Sequence, residues 1–150
     1  MTTTPARYFT GLALAVAACS SAHADPTQNK DLVKAALTEL FIQHDASAVE
    51  RYWGESYTQH NPLFPNGRDV LVSFAQNFPA GFTYEMGMVS ADGDLVMVHG
   101  RYSGTGPKPS IVVDIFRVKD GKIVEHWDVG QDEVPASQTA SGNPMFTPGE

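Results

Sequence analysis

The stretch from Ser110 to Gln131, Ser-Ile-Val-Val-Asp-Ile-Phe-Arg-Val-Lys-Asp-Gly-Lys-Ile-Val-Glu-His-Trp-Asp-Val-Gly-Gln, constrains the fold more than any other part of the chain. Two runs rich in β-branched and aromatic residues flank Lys119-Asp120-Gly121, which is hairpin-turn chemistry. Asp114, His126 and Asp128 stand inside these otherwise apolar runs. Strand interiors disfavour aspartate, and a buried carboxylate is costly unless it is partnered, so each of these residues calls for a partner or a task.

Asp-Gly suits two turns, and the turn decides whether the three polar residues meet. A two-residue turn at Asp120-Gly121 sets Lys119 opposite Lys122 and points Asp114 away from the face of His126 and Asp128. A three-residue loop ending in a glycine bulge sets Val118 opposite Lys122, Asp114 opposite His126 and Val112 opposite Asp128. The bulged register is preferred because it gathers the three ionisable groups on one face beside Val112, Phe116 and Val124. The other face then carries Ile111, Val113, Ile115, Arg117, Ile123, Glu125 and Trp127. That much apolar surface on the outside of a sheet predicts a homodimer through it.

Upstream, the periodicity is helical. Leu32, Val33, Ala36, Leu37, Leu40 and Phe41 make an amphipathic stripe that follows a polar lead-in at Asp25–Asn29 and ends near Gln43–Asp45. A second, short helix is expected from Ala46 to Trp53, with Asp45 or Ser47 as N-cap, Val49, Tyr52 and Trp53 buried, and Gly54 as its stop. A third is expected from Gly67 to Phe78, capped by Asn66, with Val70, Leu71, Phe74, Ala75 and Phe78 inward and Pro79 and Gly81 ending it. Between the last two lies Tyr57-Thr58-Gln59-His60-Asn61-Pro62.

From Phe82 the pattern changes to strands: Phe82–Ala91, an Asp92-Gly93 turn, Leu95–Ser103 with His99 and Arg101, a Gly/Pro loop at 104–109, and then the opening hairpin. Residues 132–150 read as an extended tail that packs loosely or lies over a neighbour. Helices followed by four strands give an α+β domain, with helices on one side of a curved antiparallel sheet and a cavity at the open end.

Residues 1–24 look like an export signal: Arg7, an apolar run from Tyr8 to Ala18, and Ala22-His23-Ala24 before Asp25. That run is too short for a permanent transmembrane helix. Val16-Ala17-Ala18-Cys19 also matches a lipobox, so cleavage before Cys19, with a lipid anchor, competes with cleavage after Ala24. The mature product is expected to be periplasmic or secreted. Cys19 is the only cysteine, which leaves no internal disulfide. The net charge is −7, and losing Arg7 with the signal makes it −8, which argues against nucleic acid as a partner.

The run Asp114–Asp128, with Tyr57–Pro62 and His99-Gly100-Arg101, resembles the SnoaL-like polyketide cyclases of the nuclear transport factor 2-like superfamily. It looks closest to the branch of predicted SnoaL-like aldol condensation-catalysing enzymes. The resemblance covers roughly residues 30–145. It implies a cone-shaped α+β barrel, with N-terminal helices packed on the curved sheet around a deep pocket. It also implies an acid/base aspartate after a His-x pair on the last strand, which here is Asp128 after His126-Trp127. The family's histidine on the preceding strand falls on Asp114, a departure from the pattern. The superfamily spans isomerases, dehydratases, epoxide hydrolases and binding proteins.

Asp128 is accordingly the first candidate for moving a proton next to a carbonyl, with His126 and Asp114 as its partners. The competing role for Asp128 is structural, capping a loop or pairing with Arg101 or Arg117. His60, Tyr57 and Asn61 are candidates for hydrogen-bonding a substrate oxygen, and Trp53 and His99 complete the substrate-binding set. The competing role for His60 and Asn61 is turn chemistry before Pro62. No His-x-x-x-His or Cys-x-x-Cys spacing occurs, so no metal and no cofactor are expected. No serine stands in a G-x-S-x-G setting. The expected function is cofactor-free acid/base chemistry, aldol-type cyclisation or isomerisation, on a small carbonyl compound. The alternative is a non-catalytic domain that binds a small apolar ligand or a partner.

Overall fold

The computed structural model describes residues 25–149. The expected export signal and Cys19 lie outside them. Helix α1 spans Pro26–Leu37, so the polar lead-in is helical: Asp25 caps it by accepting from the Thr27 and Gln28 N–H groups at 2.9 and 3.4 Å, and Pro26 needs no such partner. A π-helical turn, Thr38–Ile42, continues it. The stripe is buried as expected, with Val33, Ala36, Leu37 and Leu40 fully so. Helix α2 is Ala48–Tyr52 and α3 is Asp69–Gln76. Asn66 does not cap α3; its Oδ1 accepts the Gln59 N–H at 2.9 Å instead. No helix among the described residues is long and apolar enough to cross a membrane.

The sheet has five strands, β1 (Trp53–Gln59), β2 (Thr83–Asp92), β3 (Leu95–Ser103), β4 (Ser110–Lys119) and β5 (Lys122–Asp132), in the order β1-β5-β4-β3-β2. Strand β1 was expected as the end of a helix and a loop. It is an edge strand that pairs with β5 in parallel, which makes the sheet mixed. Its sequence hides it: Gly54, Glu55 and Ser56 carry little strand preference, and only one neighbour and a few buried side chains hold it. The sheet stays open, and α1 packs across β2 and β3.

The hairpin corrects the expected register. The turn is the two-residue form: Lys119 opposes Lys122, and both Asp120 and Gly121 take the left-handed conformation, at φ 51° and 71°. The extra residue is Val124, higher in β5, where Val118↔Ile123 is followed by Arg117↔Glu125. Asp114 therefore opposes Asp128, not His126, and Val112 opposes Gly130, not Asp128. The bulge still puts Asp114, His126 and Asp128 on one face, because it restores the alternation that a plain two-residue turn would have inverted. Ile123 lies in the core rather than outside, and Val124 packs against Gly54 of β1.

Gly121→Val, a β-branched residue at a left-handed position, is expected to destabilise the fold by about 1–2 kcal/mol, read as a lowered urea midpoint. The core is largely aromatic. The Phe41 ring lies 5.5–6.4 Å from those of Phe74, Phe78, Phe82, Tyr84 and Tyr102, and Phe78 stacks on Phe82 at 4.3 Å. The tail returns to its own sheet. Gly149 N–H donates to the Met86 carbonyl, and Phe146 is buried beside Gly87 and the His99 ring.

Candidate functional site

Helices and sheet line a cavity of about 470 Å³. Phe41, Leu63, Phe64, Val70, Leu71 and Phe74 supply much of its apolar lining. Its polar lining comes mainly from the sheet: Tyr57 and Gln59 of β1, Asn61 just beyond it, Tyr102 of β3, Asp114 of β4, and His126 and Asp128 of β5. A pocket with a few convergent polar groups in an apolar wall is a binding or active site by default.

Asp114 and His126 are both over nine-tenths buried. Asp114 Oδ1 lies 3.1 Å from His126 Nε2, and Asp114 Oδ2 accepts the Tyr102 hydroxyl at 3.0 Å. His126 Nδ1 lies 2.8 Å from Gln59 Oε1, and the imidazole stacks on Phe116. Asp128 is half-buried, and its Oδ2 accepts the Asn61 side-chain amide at 2.6 Å. Asn61 is itself held: its Oδ1 accepts the Leu63 N–H and its backbone N–H donates to Gln59 Oε1 at 2.9 Å. Asp114, His126 and Asp128 each bring a donor atom within 4.8 Å of the others. They are the one set among the described residues grouped closely enough to share a metal ion, and each is already engaged by a protein hydrogen bond.

Burial pushes the hydroxyls of Tyr57, Tyr84 and Tyr102 well above the usual phenol range, and the Asp114 carboxylate adds to it in all three. They stay protonated, as donors, at any physiological pH. For Tyr57 the nearby Trp53 indole N–H and Gln59 offset part of the shift. The Trp53 Nε1 is nevertheless buried without a well-formed hydrogen bond to the described residues, in a side chain that lines the cavity.

Of the residues singled out from sequence, Asp114, His126, Asp128, Tyr57, Asn61 and Trp53 all line this cavity. His60 does not, which corrects its expected position. Gln59 and Asn61 face inward, so the residue between them points out, as strand alternation requires. There it stacks on Trp127 at 4.8 Å and bonds Glu125 at 2.9 Å. His60 and then Arg117 hold the Glu125 carboxyl below its usual range. His99 is also outside: Val98 and Gly100 are buried inward, and His99 lines a separate surface cavity with Ile111, Val113, Val129 and Met145.

Asp128 pairs with neither of the arginines weighed for it, and its hold on Asn61 is a contact with the loop that follows β1. Arg101 pairs with Glu85 and Glu133, and Arg117 with Asp94 and Glu125. Two site residues escaped sequence reading, Gln59 and Tyr102. The signal for Gln59 was its two-residue spacing from Tyr57 and Asn61, legible only once 53–59 is known to be a strand. The same spacing from Val98 and Gly100 marks Tyr102.

No curated protein matches the chain. Among solved structures it is similar to a candidate polyketide cyclase from Bacillus cereus, at 21% identity and a TM-score of 0.59, covering 74% of this chain and 89% of that one. It is also similar to a candidate ketosteroid isomerase from Kribbella flavida, at 20% identity and a TM-score of 0.58 over 73% and 82% of the two chains. An LEH-like epoxide hydrolase from M. tuberculosis aligns at 21% identity with a TM-score of 0.56, over 71% and 84%. At these identities the likeness speaks for the fold alone, a nuclear transport factor 2-like α+β cone. The family model for the SnoaL-like domain matches residues 33–126, well over half of the sequence, and the chain therefore belongs to the SnoaL-like domain family.

Proposed function

We propose that this SnoaL-like domain is a cofactor-free acid/base catalyst that moves a proton next to the carbonyl of a small, uncharged compound, as in aldol-type cyclisation or isomerisation. The observation that carries this reading is the grouping of Asp114, His126 and Asp128, within 4.8 Å of one another, at the wall of a cavity otherwise largely apolar. Asp128 is the base: Asn61 fixes one of its oxygens, and the other has no hydrogen-bond partner among the described residues. Tyr57 and Trp53 replace His60 as donors to the substrate oxygen, where negative charge develops once the proton leaves. No lysine or arginine lines the cavity and two aspartates do, which favours a neutral ligand over an anion.

The apolar wall also supports a second reading, a domain that binds an apolar ligand without turning it over. Export, with cleavage after Ala24 or before Cys19, and a homodimer through the outer sheet face complete the proposal. The dimer is supported by Val113, Ile115 and Trp127 on that face and by Val129, which is 69% exposed. The test is proton exchange at carbon: cyclic ketones and 1,3-diketones in D₂O, followed by NMR for loss of the hydrogens beside the carbonyl. Acid/base catalysis predicts exchange well above the buffer rate for at least one compound. Compounds that bind without any accelerated exchange would leave only the binding reading.

A further inference from the structure

Gln59 occupies a position that fixes where a proton sits in the site. A backbone N–H can only donate, so the Gln59 side-chain atom 2.9 Å from Asn61 N must be the amide oxygen. This removes the usual ambiguity between amide oxygen and nitrogen. The same oxygen lies 2.8 Å from His126 Nδ1, so Nδ1 carries a hydrogen and donates it. A neutral imidazole has only one N–H. Its Nε2 would then present a bare lone pair to Asp114 Oδ1, 3.1 Å away, and Oδ2 of that carboxylate already accepts from Tyr102. Two acceptors facing each other in a buried place repel. A proton between Nε2 and Oδ1 removes the repulsion, whichever atom it rests on.

We infer that Gln59 is a positioning residue: by accepting from His126 Nδ1 it loads one extra proton onto the Asp114–His126 pair. The pair is then net neutral, where a carboxylate beside an imidazole protonated only at Nε2 would be net negative. That neutrality suits its burial and leaves Asp128, directly across the strands from Asp114, without a full like charge opposite it. Resting on the acid/base reading above, the roles divide. The Asp114–His126 pair is the acid that gives a proton, and Asp128, steadied by Asn61, is the base that takes one. The segment 59–61 sets both halves, because the Asn61 N–H orients Gln59 and the Asn61 side chain holds Asp128.

The experiment is ¹⁵N NMR of the histidine ring nitrogens in the whole protein, without substrate, with His126 assigned by its loss in His126→Phe. The native protein is expected to show a protonated Nδ1 at neutral pH. Gln59→Met removes the acceptor and keeps the size, so the His126 Nδ1 signal is expected to move to the bare-nitrogen range as the ring changes to its Nε2–H tautomer. Gln59→Glu restores an acceptor oxygen and is expected to restore the native signature, which a purely structural role would not require. Circular dichroism confirms that each variant is folded. A bare Nδ1 in the native protein, an unchanged Nδ1 in Gln59→Met, or a failure of Gln59→Glu to restore the signal would each overturn the inference. The reading needs no turnover, so it fails or stands apart from the exchange test of catalysis.

Discussion

Asp128→Asn is expected to slow ketone proton exchange by about 10²- to 10⁴-fold, the usual contribution of a positioned acid/base group, while the Kd of the ketone changes little. The substitution is chosen for what it keeps. An asparagine oxygen can still accept the Asn61 amide at the position where Asp128 Oδ2 does so now, at 2.6 Å. Shape and hydrogen bonding survive, and only the basicity goes. Asp128→Ala would remove the same base and also strand the Asn61 amide, so it confounds chemistry with packing. Isothermal titration with the ketone, alongside the exchange rate, separates the two readings of the site. A large loss of exchange at constant affinity is the acid/base outcome. Unchanged exchange in Asp128→Asn would remove Asp128 from the chemistry.

The second large effect is on stability. Phe41→Ala is expected to cost about 3–5 kcal/mol, the range for a large buried aromatic truncated to alanine. Phe41 is 8% exposed and touches the rings of α3, β2 and β3 as well as the cavity. Its loss removes transfer energy and leaves a void that the surrounding rings cannot all collapse into. Small domains have about 5–15 kcal/mol of stability in total, so this one change takes a large fraction of it. Urea unfolding should show a lower midpoint with a similar slope. A loss under about 1 kcal/mol would mean that Phe41 is not the hub of the aromatic core.

The parts of the fold that sequence made legible share one property: a strong period and a long run. The stripe from Leu32 to Phe41 and the strands from Leu95 onward met that condition, while Phe82–Ala91 alternates unevenly and is marked mainly by the Asp92-Gly93 turn behind it. Strand β1 did not. It is seven residues long, mostly polar, and held by a single parallel neighbour, so nothing local distinguishes it from a loop. Without β1 there is no alternation to separate Gln59 and Asn61 from His60, and residue type alone favours the histidine.

The hairpin shows a different limit. The register preferred from sequence puts Asp114, His126 and Asp128 on one face, and they share one, though through a different pairing. The bulge that achieves this sits at Val124, not at Gly121. Asp120-Gly121 is chemically content with either turn, and the choice rests on tertiary packing: Ile123 is drawn fully into the core, and Val124 fits over Gly54 of the unseen strand. Gln59 follows the same lesson. Its role depends on two hydrogen bonds, to Asn61 and to His126, that cross between elements and leave no mark on the local pattern.

The most direct measurement is a crystal structure of the protein with the ketone that exchanges fastest. The ketone oxygen is expected within hydrogen-bond reach, roughly 2.6–3.2 Å, of the Tyr57 hydroxyl or the Trp53 indole N–H, with the exchanging carbon facing Asp128. A ketone seated with its carbonyl at the cavity mouth and no carbon near Asp128 would contradict it.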